Sequence, residues 1–571
     1  MVVSGSTTAT KHWTKHWRLA LGAIILAVIQ LLALLILLGS EEEPIERVAS
    51  LLFWGFLNFL WMVALRRPTP AAALSLSMIV ALVLLSQFKH DALNLTVTFM
   101  DIMIVDPDTI AFLWKTFPNI GVQLAAIGSI GLAGAILVWL IDPFQIRRRS
   151  ALLGALLCFA LLAGLSFAVP LDREDEHRDR HFVSKFARSA SIVLVDIAVR
   201  GIFEADAKAS EPLSVRTDEA CAPPAKLPNI IMILDESSFD ATLMPGIRVN
   251  RDYQKHFQSF DGRQRRLLVE GVGGPTWYTE YNVLSGLSVR SYGRFAEAVT
   301  RIAAGRVRRG LPLNLRRCGY RTFSVYPFMG EFLGARGYQS TAGFEHFYDS
   351  RDLGTKDSNT LTHQLDAFYY DFALRRLKQE LGSAPTFFLL YTTANHAPWD
   401  FRFAEEVLPN WPPTQNPTDV DEFLRRQIMS ASQYQWLLHR LRQEFSGEPF
   451  LVVRFGDHQP LFARHFVEPN IDKRTLAQRV RDYDPRYLTT YYAIDTINFT
   501  AADLSSALDR LDAPYLPIVV MEAAGVPLDA SFSEQKAILT RCGGLFYSCN
   551  GGLEARRFNR LLIDAGLIKG L

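Results

Sequence analysis

Carboxylates and imidazoles follow three short apolar runs in this sequence. After Ile230–Leu234 come Asp235, Glu236, Ser237 and Ser238. After Thr386–Tyr391 come Thr392, Thr393, Ala394, Asn395 and His396, and after Pro449–Arg454 come Phe455, Gly456, Asp457 and His458. Carboxylate oxygens are hard ligands and imidazole is borderline, so such a set suits zinc or manganese. Taken singly, each has a plainer reading: Asp457 as a helix cap, His396 as a loop histidine with its hydrogen bonds satisfied. Their recurrence behind three separate runs is what points to one metal centre.

A hydroxyl belongs to the same chemistry. Gly271-Val-Gly-Gly-Pro-Thr-Trp-Tyr-Thr-Glu-Tyr reads as a Gly-rich turn entering a helix. Such a turn offers backbone N–H groups and a positive helix end to an anion. A metal-activated hydroxyl there can attack phosphorus and form a covalent intermediate. Thr276 is the candidate, Thr279 competes with it, and local features leave Thr276 equally suited to cap the helix.

The elements that must position these groups follow from periodicity. Ile230–Leu234, Thr322–Tyr326, Thr386–Tyr391 and Pro449–Arg454 read as buried strands. Leu311–Cys318, Leu361–Leu381 and Val420–Phe445 have helical spacing. Strands alternating with helices predict a mainly parallel sheet covered on both faces, and in such sheets the chemistry gathers at the carboxyl ends of the strands. No internal repeat or low-complexity tract interrupts this half.

The other half is apolar. Of the 571 residues 49% are hydrophobic, the mean hydropathy is +0.10, and most of the excess precedes residue 170. Five stretches, 18–39, 47–65, 71–88, 120–141 and 151–169, reach the roughly 20 residues that cross a bilayer. The first is too long for a cleaved signal peptide, and further spans follow at once. Lys11, Lys15 and Arg18 precede the first stretch and Glu41, Glu42 and Glu43 follow it. Arg66 and Arg67 lie between the second and third, and Arg147, Arg148 and Arg149 between the fourth and fifth. Those basic clusters share one side only with five spans and a cytoplasmic N-terminus, which puts everything after about residue 170 outside. Ser191–Phe203 is apolar but short and carries Asp196 and Arg200, so it is expected to lie on the membrane surface or on the fifth span. The mixed stretch from Lys89 to Pro118 is expected at the interface as well. Glu204–Leu227 reads as a linker. The expected organisation is thus a membrane domain over 1–170, an interfacial helix and linker over 171–227, and an extracytoplasmic catalytic domain over 228–571.

Charge and cysteine bound the partners. Lys and Arg total 60 against 58 Asp and Glu, a net +2 that gives no reason to invoke nucleic acid. Five cysteines are too few for a disulfide-built scaffold. Cys158 lies inside an apolar run. Cys542 and Cys549 flank a turn-rich loop that a disulfide could close in an oxidising compartment.

From residue 229 to about 525 the chain resembles the lipoteichoic acid synthase and phosphoglycerol transferase branch of the alkaline phosphatase/sulfatase superfamily. Asn229-Ile-Ile-Met-Ile-Leu-Asp-Glu-Ser resembles its first strand, Thr276 with Glu280-Tyr281 its nucleophile signature, and Phe455-Gly-Asp-His its Tyr-Gly-Asp-His. Thr393-Ala-Asn-His-Ala-Pro-Trp is similar to its Ser-Asn-His-x-Pro segment. Phe332-Leu-Gly-Ala-Arg resembles its Phe-Trp-Asn-Arg, with an inserted residue and no Trp. Pro275 and Asp235 depart from the branch's pattern, and Asp235 is expected to cap a helix or face solvent rather than bind a second metal. The resemblance implies an alkaline-phosphatase-like α/β fold and one divalent cation, Mn²⁺ before Zn²⁺ or Mg²⁺, held by Glu236, Thr276, Asp457 and His458. It implies Thr276 as nucleophile and His396 and Arg336 as substrate-binding groups. It also implies a multi-pass protein of the bacterial inner membrane that takes a head group from a phospholipid, phosphatidylglycerol favoured, to a glycan or glycerol-phosphate acceptor. Three alternatives stand beside it: a phosphoethanolamine transferase, a phosphodiesterase or sulfatase-type hydrolase, and a non-catalytic membrane scaffold. A sulfatase needs Cys or Ser in a Cys/Ser-x-Pro-x-Arg motif, and around Thr276 both the Cys/Ser and the Arg are missing.

Overall fold

A computed structural model describes residues 6–93, 96–105, 110, 114, 118–169, 182–199, 201–207, 221, 226–249, 253–355, 363–380, 382, 384–412 and 414–570. Most of the expected linker, and part of the stretch from 89 to 118, lie outside the described residues. The chain divides into two compact units, Met1–Arg200 and Gly201–Leu571.

Among the described residues, the first unit holds five helices long and apolar enough to cross a membrane, Trp17–Ser40, Pro44–Leu65, Pro68–Asp91, Asn119–Ile141 and Arg148–Ala168. Apolar packing alone does not distinguish one helix partner from another in lipid, so polar pairs between helices carry specificity. Trp54 Nε1 donates to Gln30 Oε1 at 2.7 Å, and Gln30 Nε2 to Asn58 Oδ1 at 3.4 Å. Arg67 caps the fourth long helix by donating to the carbonyls of Trp139 and Asp142, at 2.5 and 2.8 Å. The helix Phe182–Val199 packs on both Pro44–Leu65 and Arg148–Ala168. Its first N–H groups have no partner within the helix, and Glu41 supplies one: Oε1 accepts from Val183 N and Ser184 N, both at 2.9 Å. One turn on, Arg188 pairs with Glu46 at 2.5 Å, both side chains buried.

The second unit is built on one eight-stranded sheet, in the order β4-β3-β5-β1-β6-β7-β2-β8. The strands are β1 (Asn229–Asp235), β2 (Arg265–Leu268), β3 (Arg321–Val325), β4 (His346–Tyr348), β5 (Thr386–Tyr391), β6 (Phe450–Gly456), β7 (Thr489–Ile497) and β8 (Arg510–Asp512). Every pairing is parallel except the two made by β7, so the mainly parallel sheet expected from the sequence is present. All seven residues of β1 are buried, which is why its sequence reads as an unbroken apolar run. Side chains alternate along it. Ile231 and Ile233 meet a core shared with Tyr369, Leu374 and Leu377 of the helix Asp366–Glu380 and with Leu437, Leu438 and Leu441 of the helix Thr418–Glu444. Each such aliphatic side chain contributes about 1.5–3 kcal/mol by leaving water. The helix Leu516–Ala524, buried along its length, packs on β6.

Two disulfides close this unit. Cys542 joins Cys549, as the spacing suggested, with Cα atoms 5.8 Å apart. Cys221 joins Cys318 at 5.0 Å across 97 residues; distant pairing of this kind leaves no local signal.

Candidate active site

The register of the central strands sets the site. Asp235 of β1 lies opposite Gly456 of β6, so Glu236 and the pair Asp457-His458 leave the sheet side by side at its carboxyl edge. The approach requires glycine at 456: a Cβ there would sit 1.8 Å from the Ser238 carbonyl oxygen. Ligand atoms of Glu236, Asp457 and His458 all lie within 4.8 Å of one another, and all three residues are buried. His458 Nε2 is 3.2 Å from Asp457 Oδ2 and 3.5 Å from Glu236 Oε1.

Thr276 opens the helix Thr276–Ser285. Pro275, which has no side-chain hydrogen bond to offer, occupies the capping position, so the cap reading of Thr276 falls. The half-buried Thr276 hydroxyl instead lies 3.3 Å from Glu236 Oε2 and 3.5 Å from His458 Nε2. Gly273, at φ 61°, adopts the left-handed conformation that the entering turn requires. Thr279 is fully buried and donates to the Asp457 carbonyl at 2.6 Å. It ties the helix to the segment after β6 and is committed to that bond.

The residues present fit a divalent cation. His458 Nδ1 lies 3.1 Å from the Gln459 carbonyl, an arrangement that places the proton on Nδ1 and leaves Nε2 as the ligand atom. Ser237 N and His458 N donate to Asp457 Oδ1 at 2.8 and 2.9 Å, whereas Asp457 Oδ2 is buried with no hydrogen-bond partner. A buried carboxylate oxygen left over among hard donors calls for a positive charge. The protons tell the same story. Burial, with the charge of Glu236 beside it, pushes Asp457 up to about 7. Burial would also raise Glu236, but the bond to His458 and the charges of His396 and His458 outweigh it and hold the carboxyl at about 2. His458 resists the lowering effect of burial because it faces Asp457 and Glu236, and stands at about 9. In the bare trio, protons do the work of a cation.

Asp235 differs from the expectation. It is buried, not solvated: Oδ2 accepts from the Tyr491 hydroxyl at 2.6 Å and lies 3.4 Å from His256 Nε2. His256 in turn contacts Arg454 Nη1 at 3.0 Å. A polar residue directly ahead of a metal-type carboxylate looked exposed because its partners, Tyr491 and His256, are remote in sequence.

His396 is half-buried in the segment after β5, its Nδ1 2.6 Å from the Ala397 carbonyl. Arg336 Nη2 pairs with Asp349 at 2.6 Å, and its side chain is 44% exposed. The two belong to adjoining surfaces: Phe328, in the segment after β3, lies edge-on to His396 at 6.3 Å, and its carbonyl accepts from Ser350 N beside Asp349. Glu280 of the nucleophile signature, buried four residues after Thr276, is raised to about 7 by burial, against hydrogen bonds to Gln339 and Tyr391. One neighbour of His396 had no motif to mark it. His363 Nε2 lies 2.7 Å from the His396 carbonyl.

Residues 228–481 match the sulfatase family model. Over 465 residues the chain is 24% identical to the capsular polysaccharide biosynthesis protein RkpI of Rhizobium meliloti (strain 1021), covering 76% of this chain and 82% of that protein. Among solved structures it is similar to a phosphoglycerol transferase, GacH of Streptococcus pyogenes, at 16% identity and TM-score 0.47, covering 61% of this chain and 88% of that one. It is also similar to the lipooligosaccharide phosphoethanolamine transferase A of Neisseria meningitidis, at 12% identity and TM-score 0.40, covering 84% of this chain and 95% of that one. Behind its five apolar helices the chain carries, over residues 228–481, a segment that matches the sulfatase family model.

Proposed function

We propose that this protein transfers a phosphoglycerol head group from a membrane phospholipid to a glycan or glycerol-phosphate acceptor through a phospho-threonine intermediate. The observation that carries the reading is the Thr276 hydroxyl facing Glu236 and His458 at 3.3 and 3.5 Å. The name of the Rhizobium relative favours a glycan over a glycerol-phosphate chain as acceptor. Residues 1–170 would form the membrane domain, 171–227 an interfacial helix and linker, and 228–571 the catalytic domain outside the bacterial inner membrane.

Glu236, Asp457, His458 and the Thr276 oxygen would hold one divalent cation, Mn²⁺ favoured. When bound, it supplies a Lewis acid that favours the threonine alkoxide and offsets charge on the phosphoryl oxygens. The Thr276 hydroxyl gives up its proton to solvent, its oxygen attacks phosphorus in line, and the bond to the diacylglycerol oxygen breaks. That oxygen takes a proton, and Thr276 is left esterified. His396 and Arg336 bind the phosphate, and the His396 imidazole gives the leaving oxygen its proton. An acceptor hydroxyl then attacks the same phosphorus and restores Thr276. Water in that place makes the site a hydrolase.

Diacylglycerol release tests the reading, with phosphatidylglycerol and phosphatidylethanolamine offered separately to the purified protein in Mn²⁺. Release from phosphatidylglycerol, abolished by Thr276→Ala and by EDTA, supports it. Release from phosphatidylethanolamine alone assigns the other head group, and release from neither by metal-loaded, folded protein sinks the proposal.

A further inference from the structure

Beneath His396 lies a buried charge cluster that touches the site only through backbone. Glu422, on the helix Thr418–Glu444, is 1% exposed. Its Oε1 accepts from Arg426 Nε at 2.7 Å, Arg425 Nη2 at 3.0 Å and Phe403 N at 3.0 Å. Its Oε2 accepts from Arg425 Nε at 2.8 Å and from Arg402 Nη1 at 3.0 Å. Arg426 is fully buried, and the outer edge of its guanidinium is spent on two carbonyls: Nη1 donates to His396 O at 2.9 Å and Nη2 to Phe401 O at 3.0 Å. Arg425 Nη2 reaches the Phe403 carbonyl. His363 Nε2 reaches the same His396 oxygen at 2.7 Å, and the rings of Phe401 and Phe403 flank both His363 and Arg426.

Two buried guanidiniums around one carboxylate are costly in a fold that could bury aliphatic side chains there. What they secure is the backbone at 396, 401 and 403. A planar fork bridges two carbonyls and a carboxylate at once, which an ammonium group does not do.

We propose that Arg426, locked by Glu422, is a positioning residue that fixes His396 for its contact with the transferred phosphoryl group, with His363 as a second tether on the same carbonyl. The proposal rests on the phosphotransfer reading for its consequence in turnover, but not for the positioning itself.

The test uses the full chain in lipid nanodiscs, with Arg426→Lys as the main variant and His363→Ala as a milder one that leaves the buried cluster intact. The rate at which diethyl pyrocarbonate modifies His396, followed by mass spectrometry of its peptide, reports the imidazole without any turnover. It is expected to rise about threefold or more in Arg426→Lys and by less in His363→Ala, at unchanged global fold. Diacylglycerol release is expected to fall about tenfold in Arg426→Lys, and not to fall further when that change is added to His396→Ala. Unchanged modification rates in both variants, or losses that multiply in the double variant, overturn the proposal. Should Arg426→Lys fail to fold, His363→Ala decides by the same two readouts. Should no lipid be turned over, the functional reading fails and the modification rates alone decide the positioning.

Discussion

Thr276 and its neighbours make predictions at the level of single groups. Thr276→Ala removes the nucleophile and is expected to lower diacylglycerol release at least about a thousandfold while leaving metal binding measurable through the remaining three residues. Thr279→Val deletes the 2.6 Å bond to the Asp457 carbonyl and strands a buried acceptor. It is expected to cost about 1–3 kcal/mol in denaturant unfolding and to lower turnover while retaining the nucleophile. The proton ledger adds a pH dependence. With Asp457 raised by burial and by Glu236, and His458 raised by the carboxylates it faces, the metal-free site at neutral pH retains protons on these two groups. Glu236, at about 2, is already ionised. A cation can bind only as those protons leave, so affinity rises with pH through the neutral range. Calorimetry at pH 7 in buffers of different ionisation enthalpy should find net proton release on Mn²⁺ binding; none released would remove the trio as the ligand set.

At the scale of elements, the site is made by the way β1, β5 and β6 end together. The sequence marks those three strands clearly, and β5 spans Thr386–Tyr391 in both sequence and structure, because a strand buried on both faces must be apolar throughout. The helix expected over Leu361–Leu381 forms from Asp366 to Glu380, with 361, 362 and 381 outside the described residues. β2, β4, β7 and β8 were not foreseen; β2, β4 and β8 are three or four residues long, and so short a run carries no period, whereas β7 runs Thr489–Ile497 and breaks its apolar residues with Thr489, Thr490, Asp495 and Thr496. The same limit hid Cys221–Cys318. This bond closes a loop of 97 residues, which on chain-entropy grounds corresponds to about 4–5 kcal/mol. Cys221→Ser is therefore expected to lower the denaturant midpoint of the second unit clearly, and reduction of the wild type to do the same; an unchanged midpoint would show that the pair is not formed in the protein.

The proposed topology can be tested on the whole molecule. With five spans and a cytoplasmic N-terminus, single cysteines introduced at Glu43 and Asp509, both exposed, should react with an impermeant maleimide on intact spheroplasts. A cysteine at Arg149 should react only after permeabilisation. Labelling of Arg149→Cys from outside, with silence at Glu43→Cys and Asp509→Cys, would invert the topology and place both disulfides in a reducing compartment.

By itself the sequence determined the number of apolar helices, the class of the sheet and the carboxylates and imidazoles that close three strands, each from a local signal: an apolar run, a period, or a polar residue closing a strand. Grouping Thr276 with Glu236, Asp457 and His458 took the family resemblance, because its local features suit a helix cap equally well. Only the tertiary structure decided that Asp235 is buried against Tyr491 and His256, that Thr279 and not Thr276 serves the framework, and that Arg426 and His363 converge on the His396 carbonyl. These relations join positions tens to hundreds of residues apart, and they exist only once the sheet has brought its carboxyl edge and the helix Thr418–Glu444 together. A charged residue inside an amphipathic helix reads as solvated until the fold shows what covers it.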